Sequence, residues 1–152
     1  AWTDRLTSPA AATRSPSRRS IRRRVQSFSD APAPDRTSGA EREPGDGLRV
    51  FAGPLGDGRF AASWTPTEVR PELVWAALDC PGAIAVGFPD RGETLLGRFA
   101  VRIDELPEPG ANCVVLAWPL GEDGRKLYAA TALFSEDGRS LARARATWIA
   151  PA

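Results

Sequence analysis

Three copies of Asp-Gly-Arg, beginning at Asp57, Asp123 and Asp137, punctuate a chain whose intervening runs alternate between apolar and polar residues. In TLLGRFAVRIDEL, Phe99, Val101 and Ile103 fall on one side, and Arg98, Arg102 and Asp104 on the other. In SLARARATWI, Ala142, Ala144, Ala146 and Trp148 oppose Arg143, Arg145 and Thr147. Asp-Gly between alternating runs is a hairpin signal, because a type I′ turn needs positive φ at both central residues. The triplet is therefore read as turn chemistry and not as an adhesion motif. LRVFAG and RFAASW, joined by PLGDG, make another hairpin, and NCVVLAWPL and KLYAATALF supply further strands. An antiparallel sheet of about five or six strands follows.

One segment breaks the alternation, TPTEVRPELVWAALDCPGAIAVGF. Thr65-Pro66-Thr67-Glu68 has the form of a capping box, and Pro71 suits the first position of the main helix. Leu73, Val74, Ala77, Leu78 and Pro81 form a wide apolar stripe, so the helix is expected to be buried nearly all round. The predicted fold class is α+β, an antiparallel sheet wrapped around one long central helix. Asp79 is the anomaly in that helix. A buried carboxylate is costly without a partner, so it either caps backbone near a helix break at Pro81 or does chemistry.

Composition narrows the chemistry. The chain of 152 residues has no histidine, which excludes Ser-His-Asp and Cys-His hydrolases and His-ligated metal sites. Cys80 and Cys113 do not have metal-ligand spacing and are read as buried core thiols. A net charge of +1 gives no global nucleic-acid signature. No apolar run approaches the roughly 20 residues of a membrane span, and no signal-peptide core is present. A cytoplasmic protein is expected. Residues 1–46, rich in Ser, Pro, Ala and Arg, are expected to form a disordered tail, and residues 47–152 the domain. The tail's arginine cluster, Arg18 to Arg24, has no interleaved aromatics to stack bases, so nucleic-acid binding is not expected. Arg98, Arg102, Arg143 and Arg145 are read as a solvated sheet face, with coenzyme A phosphates as an alternative contact. Tyr128 is a packing residue or a hydroxyl for an acyl pocket.

The order of a hairpin, one long helix and a meander ending in an Arg/Ala-alternating strand resembles the hot-dog fold of acyl-CoA thioesterases. The resemblance covers Gly47 to Ile149 and is closest to the phenylacetate-pathway branch. In that branch the helix begins His-Gly-Gly and later carries an acidic residue in a Leu-x-Asp context; Ala77-Leu78-Asp79 matches that context here. The resemblance implies hydrolysis of an acyl-CoA or related thioester, with Asp79 as general base or nucleophile; the alternative is a non-catalytic hot-dog protein that binds an acyl thioester or serves in assembly. It implies backbone N–H groups at the helix start as the oxyanion hole, here those of Glu72 and Leu73, and Trp75 beside the acyl group. It also implies a homodimer or homotetramer, since the carboxylate works on a carbonyl bound at a partner's helix end, and no cofactor or metal. The chain departs from the pattern at its start, where Arg70, Pro71 and Glu72 occupy the His-Gly-Gly positions.

Overall fold

The computed structural model describes residues 47–152. The expected tail at 1–46, with its arginine cluster, lies outside the described residues. In chain order the elements are β1 (Gly53–Pro54), β2 (Phe60–Trp64), α1 (Pro71–Ala85), β3 (Leu95–Ile103), β4 (Cys113–Asp123), β5 (Lys126–Ser135) and β6 (Ser140–Ile149). The strands form one six-stranded sheet in the order β1-β2-β4-β5-β6-β3, with every neighbouring pair antiparallel. The α+β class is as predicted, and so is one helix against one sheet among the described residues.

All three Asp-Gly-Arg triplets lie at hairpins. Asp123 pairs with Lys126, which leaves Gly124 and Arg125 as the central residues of the β4–β5 turn. Only Gly124 has positive φ there, at 56°, the pattern of a type II′ turn and not of the expected I′. In the β5–β6 turn Gly138 takes φ of 87° and its N–H donates to the carbonyl of Ser135 at 2.9 Å. The β1–β2 loop closes through the N–H of Leu55 on the carbonyl of Arg59 at 2.8 Å. In this loop and in the β5–β6 turn, the arginine of the triplet pairs with its own aspartate, Arg59 with Asp57 and Arg139 with Asp137. The first strand is shorter than LRVFAG suggests: Pro54 has no N–H for a ladder, and Arg49 adopts positive φ of 53°.

Strand alternation divides the sheet into two faces. The inner one carries Ala62, Trp64, Cys113, Val115, Leu133, Ala142 and Ala144, packed on Val74, Ala77 and Leu78 of α1. Phe99, Val101 and Ile103 close the same core from β3, as the alternation predicts. A second cluster continues toward the helix C-terminus with Ala83, Val86, Leu127, Ala129, Ala146 and Trp148.

Three expectations for the helical segment fail. The capping box does not form: Thr65 Oγ1 bonds Asn112 Oδ1 at 3.2 Å, Glu68 pairs with Arg70 at 2.9 Å, and α1 begins at Pro71 with Arg70 as its uncapped N-cap. Nor does Pro81 end the helix, which continues to Ala85. Pro81 lacks the N–H that the carbonyl of Ala77 would accept. At the next carbonyl, the buried hydroxyl of Thr131 donates to Leu78 O at 2.9 Å and ties the helix to β5. Third, α1 is not buried all round: Glu72, Trp75, Ala76 and Cys80 are exposed. Cys80 is therefore not a core thiol, whereas Cys113 is buried and burial pushes its thiol pKa up.

Candidate functional site

The outward stripe of α1 gathers Glu72, Trp75, Ala76, Asp79 and Cys80, the positions left when Val74, Ala77, Leu78 and Pro81 turn to the sheet. Asp79 is half-buried on that stripe. Its Oδ1 is shielded from solvent and has no hydrogen-bond partner among the described residues. Burial alone raises its carboxyl pKa, with no neighbouring charge acting on it. The capping role considered for Asp79 is thereby removed, because the carboxylate caps nothing among these residues.

The other expected site residues separate. Trp75 is 43% exposed and packs edge-on against Phe99 of β3, with ring centroids 5.6 Å apart. Glu72 is exposed about 10 Å along the helix axis from Asp79, on the same stripe. Leu73 points elsewhere, into a cavity of about 430 Å³ beside the helix start, which Phe51, Ser63, Trp64, Thr67 and Glu68 also line. Its N–H does not serve as an open oxyanion donor, since it donates to the carbonyl of Arg70 at 3.0 Å. Val74 N–H donates to the same carbonyl at 3.3 Å. Pro71 has no N–H, so Glu72 supplies the open donor of the first turn. Within one chain, the structure joins Glu72, Trp75 and Asp79 on one helix face and sends Leu73 to a separate cavity.

Sequence reasoning missed the partner that fixes this helix. Thr131 reads as one more residue of an alternating strand, and its only signal was a hydroxyl among alanines on the buried face. Tyr128 lies on the outer face of the sheet, away from α1, and Arg143 and Arg145 are half-buried there, each with a shielded Nε. Among the described residues no cluster of His, Cys, Asp and Glu forms a metal site, and no helix is long and apolar enough to cross a membrane.

No protein-family model matches the sequence, and no curated protein matches it. Solved structures do. The zebra fish thioesterase superfamily member 2 superposes with a TM-score of 0.61 at 14% identity, over 90% of this chain and 100% of that one. A hypothetical thioesterase from Streptococcus pneumoniae, solved with coenzyme A, gives 0.59 at 7% identity, over 65% and 86% of the two chains. A thioesterase superfamily protein from Shewanella loihica gives 0.56 at 14% identity, over 68% and 91%. At these identities the likeness is one of fold, and that fold, six antiparallel strands around one helix, is the hot-dog fold of the thioesterase superfamily structures.

Proposed function

We propose that the protein hydrolyses an acyl-CoA or a related acyl thioester, with Asp79 as the carboxylate that activates water. One observation carries the reading: a half-buried carboxylate without a hydrogen-bond partner, on the open face of the only helix among the described residues. A carboxylate whose pKa is raised by burial is a stronger base than an ordinary aspartate. In the step proposed, Asp79 takes a proton from water, the hydroxide oxygen bonds to the thioester carbonyl carbon, and the C–S bond breaks. The departing thiolate then receives the proton. Coenzyme A in the Streptococcus pneumoniae neighbour supports that ligand class.

The chemistry needs an oxyanion site that one chain supplies poorly. A homodimer answers this, with Asp79 of one copy facing the helix start of the other. The exposed Trp75 and Leu96, and the outer edge of β3, which is unpaired among the described residues, support an interface on this side. The test is hydrolysis of a panel of acyl-CoAs by the wild type and by Asp79→Asn. Release of free thiol by the wild type, and its loss in a variant of unchanged fold, is the expected result. Equal turnover by both would refute the role of Asp79.

A second reading has its own observation. Pro71 and the engaged N–H of Leu73 leave the helix start with the single donor of Glu72, beside a negative side chain. That favours a protein that binds an acyl thioester without turning it over, and saturable binding without thiol release would select it.

A further inference from the structure

The side of the sheet that faces away from α1 carries its own constellation. Register places Tyr128, Thr147 and Arg98 in one row across β5, β6 and β3, and Ala130, Arg145 and Ala100 in the next. Arg98 and Arg145 are thus diagonal neighbours on adjacent strands, within reach of each other's guanidinium. Both line a cavity of about 420 Å³ together with Tyr128, Thr147, Ala100 and Leu120. Arg145 Nε is shielded from solvent and has no acceptor. A buried cationic donor without an acceptor, beside a second cation, is unfavourable unless an anion joins them.

The next row along shows what such an anion does. Arg102 and Arg143 stand opposite each other on the same two strands. Asp104 serves both, at 2.7 Å from Arg102 Nε and 3.7 Å from Arg143 Nη2. Among the described residues no carboxylate occupies the equivalent place between Arg98 and Arg145. Among the described residues, every other arginine has an ion pair, a carbonyl acceptor or an aromatic ring. These two guanidinium groups have none, and they are the two that meet at one cavity.

We infer that this cavity binds a small-molecule phosphate monoester on the outer face of the sheet. The phosphate sits between Arg98 and Arg145, whose paired positive charge matches a dianion and whose planar forks suit its oxygens. The hydroxyls of Tyr128 and Thr147 complete the polar wall, and Ala100 and Leu120 form an apolar wall for the organic part. Asp79 lies on the other side of the sheet, so this site is independent of the proposed hydrolysis.

Calorimetric titration of the full chain with inorganic phosphate and with phenyl phosphate, at constant ionic strength, tests it. One molecule of phenyl phosphate per chain is expected, bound more tightly than inorganic phosphate because only the ester meets the apolar wall. Arg145→Gln and Arg98→Gln should each weaken binding about tenfold or more. Arg98 is exposed, so its variant stays folded even where Arg145→Gln does not. Arg59→Gln, which alters an arginine already paired with Asp57, and Asp79→Asn should both bind as the wild type does. Equal affinity for the two probes overturns the ester assignment. Absence of saturable heat, or unchanged affinity in Arg98→Gln, overturns the site. A change of oligomeric mass in ligand-free Arg98→Gln also overturns it, by marking the face as a contact between copies of the chain.

Discussion

Asp79 stores a tension that can be measured without any substrate. Its folded pKa is raised by burial, so between its unfolded value near 3.8 and the higher folded value the native state holds more protons than the unfolded state. Stability contributed by this group therefore falls as pH rises through that window and stays lower above it. Asp79→Asn removes the dependence. Denaturant titrations should show the variant more stable than the wild type at neutral pH, with the two converging at acidic pH. A wild type as stable as the variant across the range would mean that an unseen partner satisfies the carboxylate. The combination of greater stability and lost activity in one substitution is what distinguishes a functional acid from a structural one.

At the level of the element, the helix depends on a contact that lies far away in the chain. Thr131 reaches Leu78 across a separation of 53 residues. Thr131→Val keeps the shape and removes the donor, and should cost about 1 kcal/mol by thermal or chemical unfolding. Leu78 itself is fully buried at the junction of helix and sheet, and Leu78→Ala should cost about 2–5 kcal/mol. The contrast explains what could be read in advance. The alternation of Phe99, Val101 and Ile103 with Arg98 and Arg102 fixes its own faces, because the side-chain period of a strand is local. Pro81 does not fix its own consequence. The helix runs on past Pro81 to Ala85, and the tie that holds it to the sheet, Thr131 on the Leu78 carbonyl, lies outside any window around Pro81. The exposure of Trp75 and Cys80 was hidden for a related reason. An apolar residue on a helix reads as core whether the surface that covers it belongs to the same chain or to none of the described elements.

At the level of the whole molecule, the two faces of the sheet carry different kinds of unfinished business. The helix side leaves apolar side chains uncovered at Trp75 and Leu96, next to the outer edge of β3, which pairs with no other described strand. Under the proposed homodimer a second copy would satisfy both at once. Light scattering should therefore report an assembly of at least two chains, and Leu96→Glu or Trp75→Glu should shift it toward a single chain. A monomeric wild type would separate Asp79 from any partner helix and would favour binding without turnover. The outer side, with its two arginines at one cavity, is a charge problem and not an area problem.

Gly82 gives the helix its seat. A Cβ at that position would lie 3.4 Å from Trp148 Nε1, 3.6 Å from Thr131 Cγ2 and 3.7 Å from the Ala129 Cβ. A methyl group would just touch all three, and any longer side chain would have to lever the helix off the sheet. The depth at which Asp79 is set is thus governed three residues away, by a side chain that is not there. Evolution or an engineer could retune the acidity of the carboxylate by changing residue 82, raising the helix into water and leaving the aspartate itself untouched.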